Sequence, residues 1–181
     1  MKFQEIEKAV KNASSISINT SGKQYNFFKY SFGEHGTHIP YTLTIEIVEG
    51  LSDIINRTVD YFDYIVSPEP GGHTWGLLLG SVLKKDVIII RNQTTDIDCS
   101  EKLVINGYSQ KQLIFPSISP EKKVIIIDDV ISSGATLRSI VENTSASING
   151  IYCIYSKNSE YQKIINEYAI QIHVLTEGSR L

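Results

Sequence analysis

The spacing of apolar residues divides the chain into segments of helix and strand character. Over residues 41–62, Leu43, Ile47 and Leu51 recur at helical spacing with charged residues between them, which predicts a long surface helix. Further helices are predicted over residues 74–84, 135–143 and 160–168. Short apolar runs predict strands over residues 64–66, 87–90, 124–127, 151–155 and 170–175. Strands that alternate with helices indicate an α/β fold with an open, mostly parallel sheet flanked by helices.

The remaining segments carry weaker signals. The first 15 residues have the pattern of a short amphipathic helix. Two short strand candidates, residues 103–105 and 112–115, flank Asn106 and Gly107, a pair that favours a hairpin turn. Because no repeat, low-complexity tract or change of composition divides the 181 residues, the sequence predicts a single domain over residues 1–181.

Composition narrows the class of protein. Seventeen Lys and Arg against 20 Asp and Glu give a formal charge of -3, so no large basic surface is expected to attract nucleic acid. Cys99 and Cys153 lack disulfide-framework or zinc-site spacing. The amino terminus carries Glu5 and Glu7 and has no uninterrupted apolar stretch, so it fails as a signal peptide. The longest mainly apolar run, residues 75–83, is too short to cross a bilayer. We expect a soluble, cytoplasmic protein with small-molecule partners.

Three polar loops follow predicted strands and are therefore candidate binding segments. They are residues 67–73, the segment that begins at Arg91, and residues 128–136. In open parallel sheets, ligands bind beyond the carboxyl ends of the strands, at the point where strand order reverses. The sequence thus predicts that a ligand site involves one or more of these loops.

The most informative segment is VIIIDDVISSGATL, residues 124–137, in which an apolar strand leads through two acids into a small loop and a helix. A loop of Ser132, Ser133, Gly134, Ala135 and Thr136 lets main-chain N–H groups approach an anion closely. The helix that follows adds a positive partial charge at its start. Because the chain has neither a Walker loop nor a GxGxxG motif, a monophosphate fits better than a dinucleotide.

Asp128 and Asp129 directly precede this loop, and we expect them at the exit of the strand rather than inside it. Carboxylates repel a phosphate, so the pair is suited to another part of the ligand. Vicinal sugar hydroxyls or a hydrated Mg²⁺ are suitable partners. The acids and the loop together predict a site for a ribose 5-phosphate.

This segment resembles the phosphoribosyl pyrophosphate binding motif of the type I phosphoribosyltransferases. The similarity lies in the apolar strand, the acid pair, Ser132, Gly134 and Thr136. A looser similarity over residues 32–178 is closest to the archaeal-type hypoxanthine/guanine enzymes and to adenine-specific relatives. It includes IPYTLTIEIVEGL at residues 39–51 and NGYSQKQLIFPSISPEKKVIIIDDV at residues 106–130.

The resemblance implies transfer of a ribosyl 5-phosphate group from phosphoribosyl pyrophosphate to a purine nitrogen, with release of pyrophosphate. It implies Mg²⁺ that arrives with the substrate, and a homodimer. Asp128 and Asp129 would hold the ribose hydroxyls, directly or through the metal, and residues 132–136 would hold the 5-phosphate. The implied pyrophosphate-binding residues are Ser67, Pro68, Glu69, Pro70, Gly71, Gly72 and Arg91.

Two further regions take their roles from the resemblance. Residues 1–40 would form a hood over the purine, and residues 91–112 would form a lid that contributes Lys102 and Tyr108. A lid would exclude water from the oxocarbenium-like transition state that this reaction implies.

Several alternatives stay open on sequence. Hypoxanthine or guanine is the first choice of base and adenine the second. The family usually has Lys after the residue that corresponds to Arg91, whereas Asn92 follows here, which favours a rival: a regulator or nucleotide-binding protein of this fold without catalysis. His35 and His38 form an HxxH pair that suits a loop or hood better than a metal site. His73 could donate to an anion or simply satisfy a helix start.

Overall fold

The computed structural model describes residues 3–20, 23–92, 102–105 and 111–178. Within these ranges it contains a seven-stranded sheet and a separate two-stranded hairpin. The strands are β1 (Ser14–Thr20), β2 (Lys23–Lys29), β3 (Tyr64–Pro68), β4 (Asp86–Asn92), β5 (Lys102–Ile105), β6 (Lys111–Ile114), β7 (Lys123–Ile131), β8 (Ser147–Ser156) and β9 (Ile172–Glu177). The helices are α1 (Gln4–Lys11), α2 (Tyr41–Thr58), α3 (Gly72–Leu83), α4 (Ala135–Asn143) and α5 (Tyr161–Tyr168).

The seven-stranded sheet has the order β5-β6-β4-β3-β7-β8-β9. Neighbours among β3, β4, β7, β8 and β9 are parallel, whereas β6 runs antiparallel to β4 and to β5. This topology confirms the expected open, mostly parallel α/β sheet. It also confirms both weak strand candidates, β5 and β6, which form an antiparallel pair at one edge.

Helices cover both faces of the sheet, and each face has its own apolar core. On one face, residues of α2 and α3 such as Leu51, Trp75 and Leu79 pack with Ile125 and Ile127 of β7. On the other face, residues of α4 and α5 pack with the alternate residues of the same strand. A strand buried on both sides has few polar positions, which explains the continuous apolar run that marks β7 in the sequence.

The acid pair lies inside β7 and not at its exit, so the expectation for Asp128 and Asp129 was wrong on this point. β7 continues to Ile131 because its parallel pairing with β8 continues, with Asp128 opposite Cys153 and Ile131 opposite Ser156. Asp128 is 7% exposed and Asp129 is 8% exposed. Two carboxylates are therefore buried near the carboxyl end of the central strand.

The hairpin of β1 and β2 was not predicted. Its signal is the alternation of apolar and polar residues around Ile16 and Phe27, which pair directly across the hairpin. Ile16 and Phe28 lie on opposite faces of the hairpin and are 37% and 48% exposed, so neither face is fully buried and the apolar pattern is less pronounced. It follows α1, which matches the predicted amphipathic helix.

The other predicted elements are present, with shifts at their ends. α2 ends at Thr58, four residues before the predicted end at Phe62, and β9 begins and ends two residues later than predicted. Among the described residues, no helix combines the length and the apolar character needed to cross a membrane.

Candidate active site

The candidate site lies at the carboxyl edge of the three neighbouring strands β4, β3 and β7. The three predicted binding segments follow these strands, so the order of strands in the sheet brings them to the same edge. The first residue after β3, Glu69, donates its main-chain N–H to the carbonyl of Ile90 in β4, with 2.8 Å between N and O. The loop after β3 is thus attached to the adjacent strand that carries Arg91.

The buried acid pair dominates the electrostatics of this edge. Burial raises the pKa of Asp128 well above its ordinary value, and the neighbouring carboxylate of Asp129 raises it further. Burial also raises the pKa of Asp129. Asp128 Oδ1 accepts the main-chain N–H of Asp129 at 2.9 Å, which offsets only part of this cost. Two carboxyl groups this close and this deep either share a proton or need a cationic partner, such as a bound metal ion.

Asp129 contacts two separate loops. Its Oδ2 accepts the main-chain N–H of Glu34 at 3.0 Å, which attaches the loop after β2 to the central strand. A Cβ at Gly71 would overlap the Asp129 carboxylate, and a Cβ at Gly33 would lie 3.2 Å from its Oδ2. The backbone of the predicted pyrophosphate loop therefore lies directly against the acid pair, and this close approach needs glycine at position 71.

The predicted phosphate loop turns through a left-handed glycine directly before α4. Gly134 has φ of 73°, in the left-handed region that side chains disfavour, and α4 begins at the next residue. A Cβ at Gly134 would also lie 2.6 Å from Cδ1 of Ile164 in α5. The hydroxyl of Ser133 accepts the main-chain N–H of Ala135 at 3.4 Å. Ser132 and Thr136 are half-buried on either side of this turn.

Ser67, the first of the predicted pyrophosphate-binding residues, lies inside β3 and not in the loop that follows it. The Ser67 hydroxyl is fully buried against Gly76 of α3 and has no hydrogen-bond partner among the described residues, so it does not face the loop. His73 Nδ1 lies 2.7 Å from the carbonyl of Pro70, which favours the helix-start role for this histidine. Pro68, Gly71 and Gly72 are buried. Because glycine has no side chain, the surface of the loop at residues 71 and 72 consists of main-chain atoms.

Arg91 is held by an acid from the neighbouring loop. Its Nη1 donates to Oε1 of Glu69 at 2.7 Å, and the side chains of Arg91 and Glu69 are 61% and 20% exposed. The predicted pyrophosphate-binding cation and the predicted loop acid therefore form an ion pair with each other.

Lys157 lies beside the candidate site and was not identified from the sequence. It follows β8, and its main-chain N–H donates to the carbonyl of Ile131 at 2.9 Å. Burial lowers the pKa of Lys157, while Asp129 and Glu34 act in the opposite direction because their carboxylates attract its charge. Its Nζ lies 5.9 Å from the ring centroid of Tyr30. The sequence indicates only that Lys157 directly follows an apolar strand, β8. That β8 lies beside β7 is known only from the structure.

Comparison with known proteins identifies the family. The sequence pattern of the phosphoribosyl transferase domain matches residues 42–174, which is most of the chain. This chain belongs to the phosphoribosyltransferase family. The resemblance stated from the sequence is thereby confirmed at the level of the family.

Individual relatives support the same assignment. The phosphoribosyltransferase is 28% identical over 135 residues to a hypoxanthine/guanine phosphoribosyltransferase of Aciduliprofundum boonei, covering 69% of this chain and 72% of the relative. It is 23% identical over 182 residues to the protein of the same name from Methanopyrus kandleri, covering 96% and 94%. Adenine phosphoribosyltransferase from Thermoanaerobacter pseudethanolicus has the same fold, with a TM-score of 0.70 and 17% identity over 97% and 99% of the two chains.

Other predicted residues of the phosphoribosyltransferase are only partly described. Lys102 begins β5, but its side chain lies outside the described part, and Tyr108 lies outside the described residues altogether. Trp75 is fully buried and donates its indole N–H to the carbonyl of Phe32 at 2.9 Å, so it is a core residue. His35 Nε2 lies 2.9 Å from Glu34 Oε1.

The donor set suits a metal ion that is carried by the substrate. Within the described ranges, no group of three or more His, Cys, Asp or Glu side chains could hold a metal ion alone. Asp128 and Asp129 offer hard oxygen ligands whose charge is poorly compensated, and Mg²⁺ binds through one or two carboxylates together with substrate phosphates. The pair therefore fits Mg²⁺ bound to a diphosphate.

Proposed function

We propose that this phosphoribosyltransferase transfers ribose 5-phosphate from phosphoribosyl pyrophosphate to a purine base, with hypoxanthine or guanine preferred to adenine. The observation that carries the proposal is the contact between Gly71 and the buried acid pair, beside the left-handed turn at Gly134. One ligand with a pyrophosphate, two ribose hydroxyls and a 5-phosphate matches these three features in their spatial order.

In the proposed complex, the 5-phosphate binds the main-chain N–H groups of residues 132–136 at the start of α4. Asp128 and Asp129 accept hydrogen bonds from the ribose hydroxyls, which orients the anomeric carbon toward the base. Residues 67–72 and Arg91 contact the pyrophosphate. When bound, Mg²⁺ would arrive with the substrate and neutralise charge on the leaving group, and Asp128 and Asp129 would then hold the ribose hydroxyls through the metal rather than directly.

Lys157 supports the preference for oxopurines. An ammonium group donates hydrogen bonds and accepts none, so it suits a carbonyl oxygen on the base better than the amino group of adenine. Its neighbours Glu34 and Asp129 bring it to the region between the acid pair and residues 1–40, the proposed hood. We expect Lys157→Gln to lower kcat/KM for hypoxanthine more than for adenine, measured with each base at saturating sugar substrate.

Assembly and closure are part of the same proposal. Leu77, Leu78 and Val82 of α3 are 49%, 37% and 56% exposed, an apolar surface that suits burial in a homodimer. Residues 91–112 would form the lid and exclude water during transfer. A salvage enzyme of this kind would work in the cytoplasm.

A binding protein without catalysis is the second candidate. The observation that favours it is the ion pair between Arg91 and Glu69, which reduces the positive charge available to a pyrophosphate. A regulator of this fold would need to bind the sugar phosphate, but it would not need to catalyse loss of the pyrophosphate.

One assay separates the two candidates. Purified protein with Mg²⁺ and labelled phosphoribosyl pyrophosphate is incubated with hypoxanthine, guanine, xanthine, adenine, uracil or orotate, and the nucleotide and pyrophosphate are quantified. We expect products with the oxopurines, less with adenine and none with the pyrimidines. Binding of the sugar substrate without product from any base would contradict the enzyme proposal and support the regulator.

A further inference from the structure

The ion pair between Glu69 and Arg91 is set by the backbone as well as by the side chains. Glu69 donates its main-chain N–H to Ile90, the residue just before Arg91, at 2.8 Å. This bond holds the loop beside the strand so that Glu69 Oε1 lies 2.7 Å from Arg91 Nη1. Since Glu69 is 20% exposed and Arg91 is 61% exposed, the carboxylate is the more fixed member and the guanidinium the more accessible one.

Acids outnumber bases among the described charged residues at this edge. Arg91 and Lys157 are the cations in the contacts described above, and Lys157 lies within electrostatic range of the carboxylates of Asp129 and Glu34. Arg91 is therefore the described cation placed to meet a pyrophosphate, and Glu69 already occupies it. A carboxylate accepts hydrogen bonds and repels phosphate oxygens, so Glu69 cannot strengthen pyrophosphate binding by direct contact.

We infer that the Glu69 side chain competes with pyrophosphate for Arg91 and thereby weakens the binding of pyrophosphate and of phosphoribosyl pyrophosphate. This inference rests on the proposed function, because it assigns Glu69 a role in the leaving-group site. The exposed ion pair contributes little to stability, so a multiply charged anion displaces it readily. When pyrophosphate leaves, the carboxylate takes the guanidinium back. Glu69 thus favours product release at the expense of affinity, while the loop backbone still binds the anion.

The test compares Glu69→Gln, Arg91→Gln and the double variant with the wild-type protein. Isothermal titration calorimetry measures the Kd of pyrophosphate and of ribose 5-phosphate, each with and without Mg²⁺. Removing a like charge about 4 Å from a phosphate at high dielectric changes affinity about five-fold per unit charge. We therefore expect Glu69→Gln to tighten pyrophosphate binding about five-fold, Arg91→Gln to weaken it, and ribose 5-phosphate binding to stay unchanged in both.

Two further readouts separate competition from a structural role. Glu69→Gln should lower the KM for phosphoribosyl pyrophosphate and make product inhibition by pyrophosphate stronger by a similar factor. In the Arg91→Gln background, Glu69→Gln should have a smaller effect, since the contested cation is gone. Asp53→Asn is the matched control, because it removes a carboxylate that pairs with Arg57 near the end of α2, the helix that leads into the amino edge of the sheet.

The outcomes separate this inference from the proposed function. Weaker or unchanged pyrophosphate binding in Glu69→Gln, while the wild-type protein binds pyrophosphate and ribose 5-phosphate, overturns the inference alone. A loss confined to the titration with Mg²⁺ also overturns it, because Glu69 would then be a metal ligand. If the wild-type protein binds neither anion under either condition, the proposed function fails, and the inference fails with it.

Discussion

The acids at the two edges of the parallel sheet have pKa values shifted in opposite directions. At the amino edge, Asp63 precedes β3 and accepts hydrogen bonds from the Tyr61 hydroxyl at 2.9 Å, the Lys122 ammonium at 3.1 Å and the Lys123 main-chain N–H at 2.9 Å. These donors, the Lys123 N–H first among them, lower the pKa of Asp63 to about 2. At the carboxyl edge, burial raises the pKa values of Asp128 and Asp129 instead.

The difference indicates which acid serves the fold and which serves a ligand. Asp63 has donors for both oxygens and links the starts of β3 and β7. The carboxyl groups of Asp128 and Asp129 are buried next to each other. Ionising both of them destabilises the folded protein unless a bound ligand compensates the charge. A charge retained in a costly position is best explained by the binding that it makes possible.

Residues with left-handed backbone conformation also have different roles at the two edges. At the amino edge, Lys84 and Ala169 take left-handed φ values of 55° and 56° where α3 and α5 end. These are helix caps, where glycine would be easier. At the carboxyl edge, the left-handed position among the residues that the structure describes is Gly134, directly before α4.

The largest effect is expected from Asp128→Asn combined with Asp129→Asn. Transfer activity should fall on the order of 100-fold or more, because the carboxylates orient the ribose and compensate the reacting charge. Thermal stability should not fall, since the substitution removes two like charges from a buried site. Steady-state assays and thermal melts check both parts. Unchanged kinetics in a folded double variant would contradict the central assignment.

The second-largest effect is expected from a substitution at Gly134, the left-handed residue of the carboxyl edge. Gly134→Ala should cost about 1–2 kcal/mol of unfolding free energy and weaken ribose 5-phosphate about ten-fold, because φ is strained and the loop must shift. Denaturant titration and calorimetry measure the two quantities. Adding Ile164→Val removes the crowded Cδ1 atom, so any recovery of stability measures the steric share of the cost.

The matched change at the amino edge is Ala169→Gly. It should raise the unfolding free energy by up to about 1 kcal/mol and leave phosphate binding and turnover unchanged. A loss of binding in this variant would show that the two edges are not independent.

A smaller effect is expected from Asp63→Asn. The amide keeps one acceptor but loses the charge that Lys122 and the Lys123 N–H stabilise, so Tm should fall modestly while transfer activity stays at the wild-type level. Differential scanning calorimetry and the transfer assay check this pair of results. Reduced kcat with unchanged Tm would reverse the roles assigned to the two edges.

The smallest effect is in the pH dependence of stability. A carboxyl group with a raised folded pKa binds more protons when folded, so its stabilising contribution is present below its ordinary pKa near 3.8 and is lost as pH rises through the folded value. Asp63 has the opposite sign, and its contribution is lost as pH falls toward about 2. The free energy of unfolding, measured with urea, should therefore fall more steeply as pH rises from about 4 to 7 in the wild type than in the variant with both Asp128→Asn and Asp129→Asn.

Sequence alone predicted the main parallel sheet with its helices and the central motif, but not the β1–β2 hairpin. Continuous apolar runs such as that of β7 identify strands buried on both faces, and helical spacing identifies α2, because local periodicity records which sides of an element are covered. The Ser-Gly loop before α4 is equally local, since its conformation depends on Gly134 and the helix start. These features need no distant contact to be recognised.

Tertiary structure alone decided the burial and the partners of the site residues. Asp128 and Asp129 lie inside β7 because pairing with β8 continues to Ile131, which no local pattern reports. Glu34, Lys157 and the pairing of Glu69 with Arg91 depend on which strands are neighbours and on where their loops end. Long-range pairing sets these contacts and their electrostatics, whereas residue spacing along the chain sets only the elements that carry them.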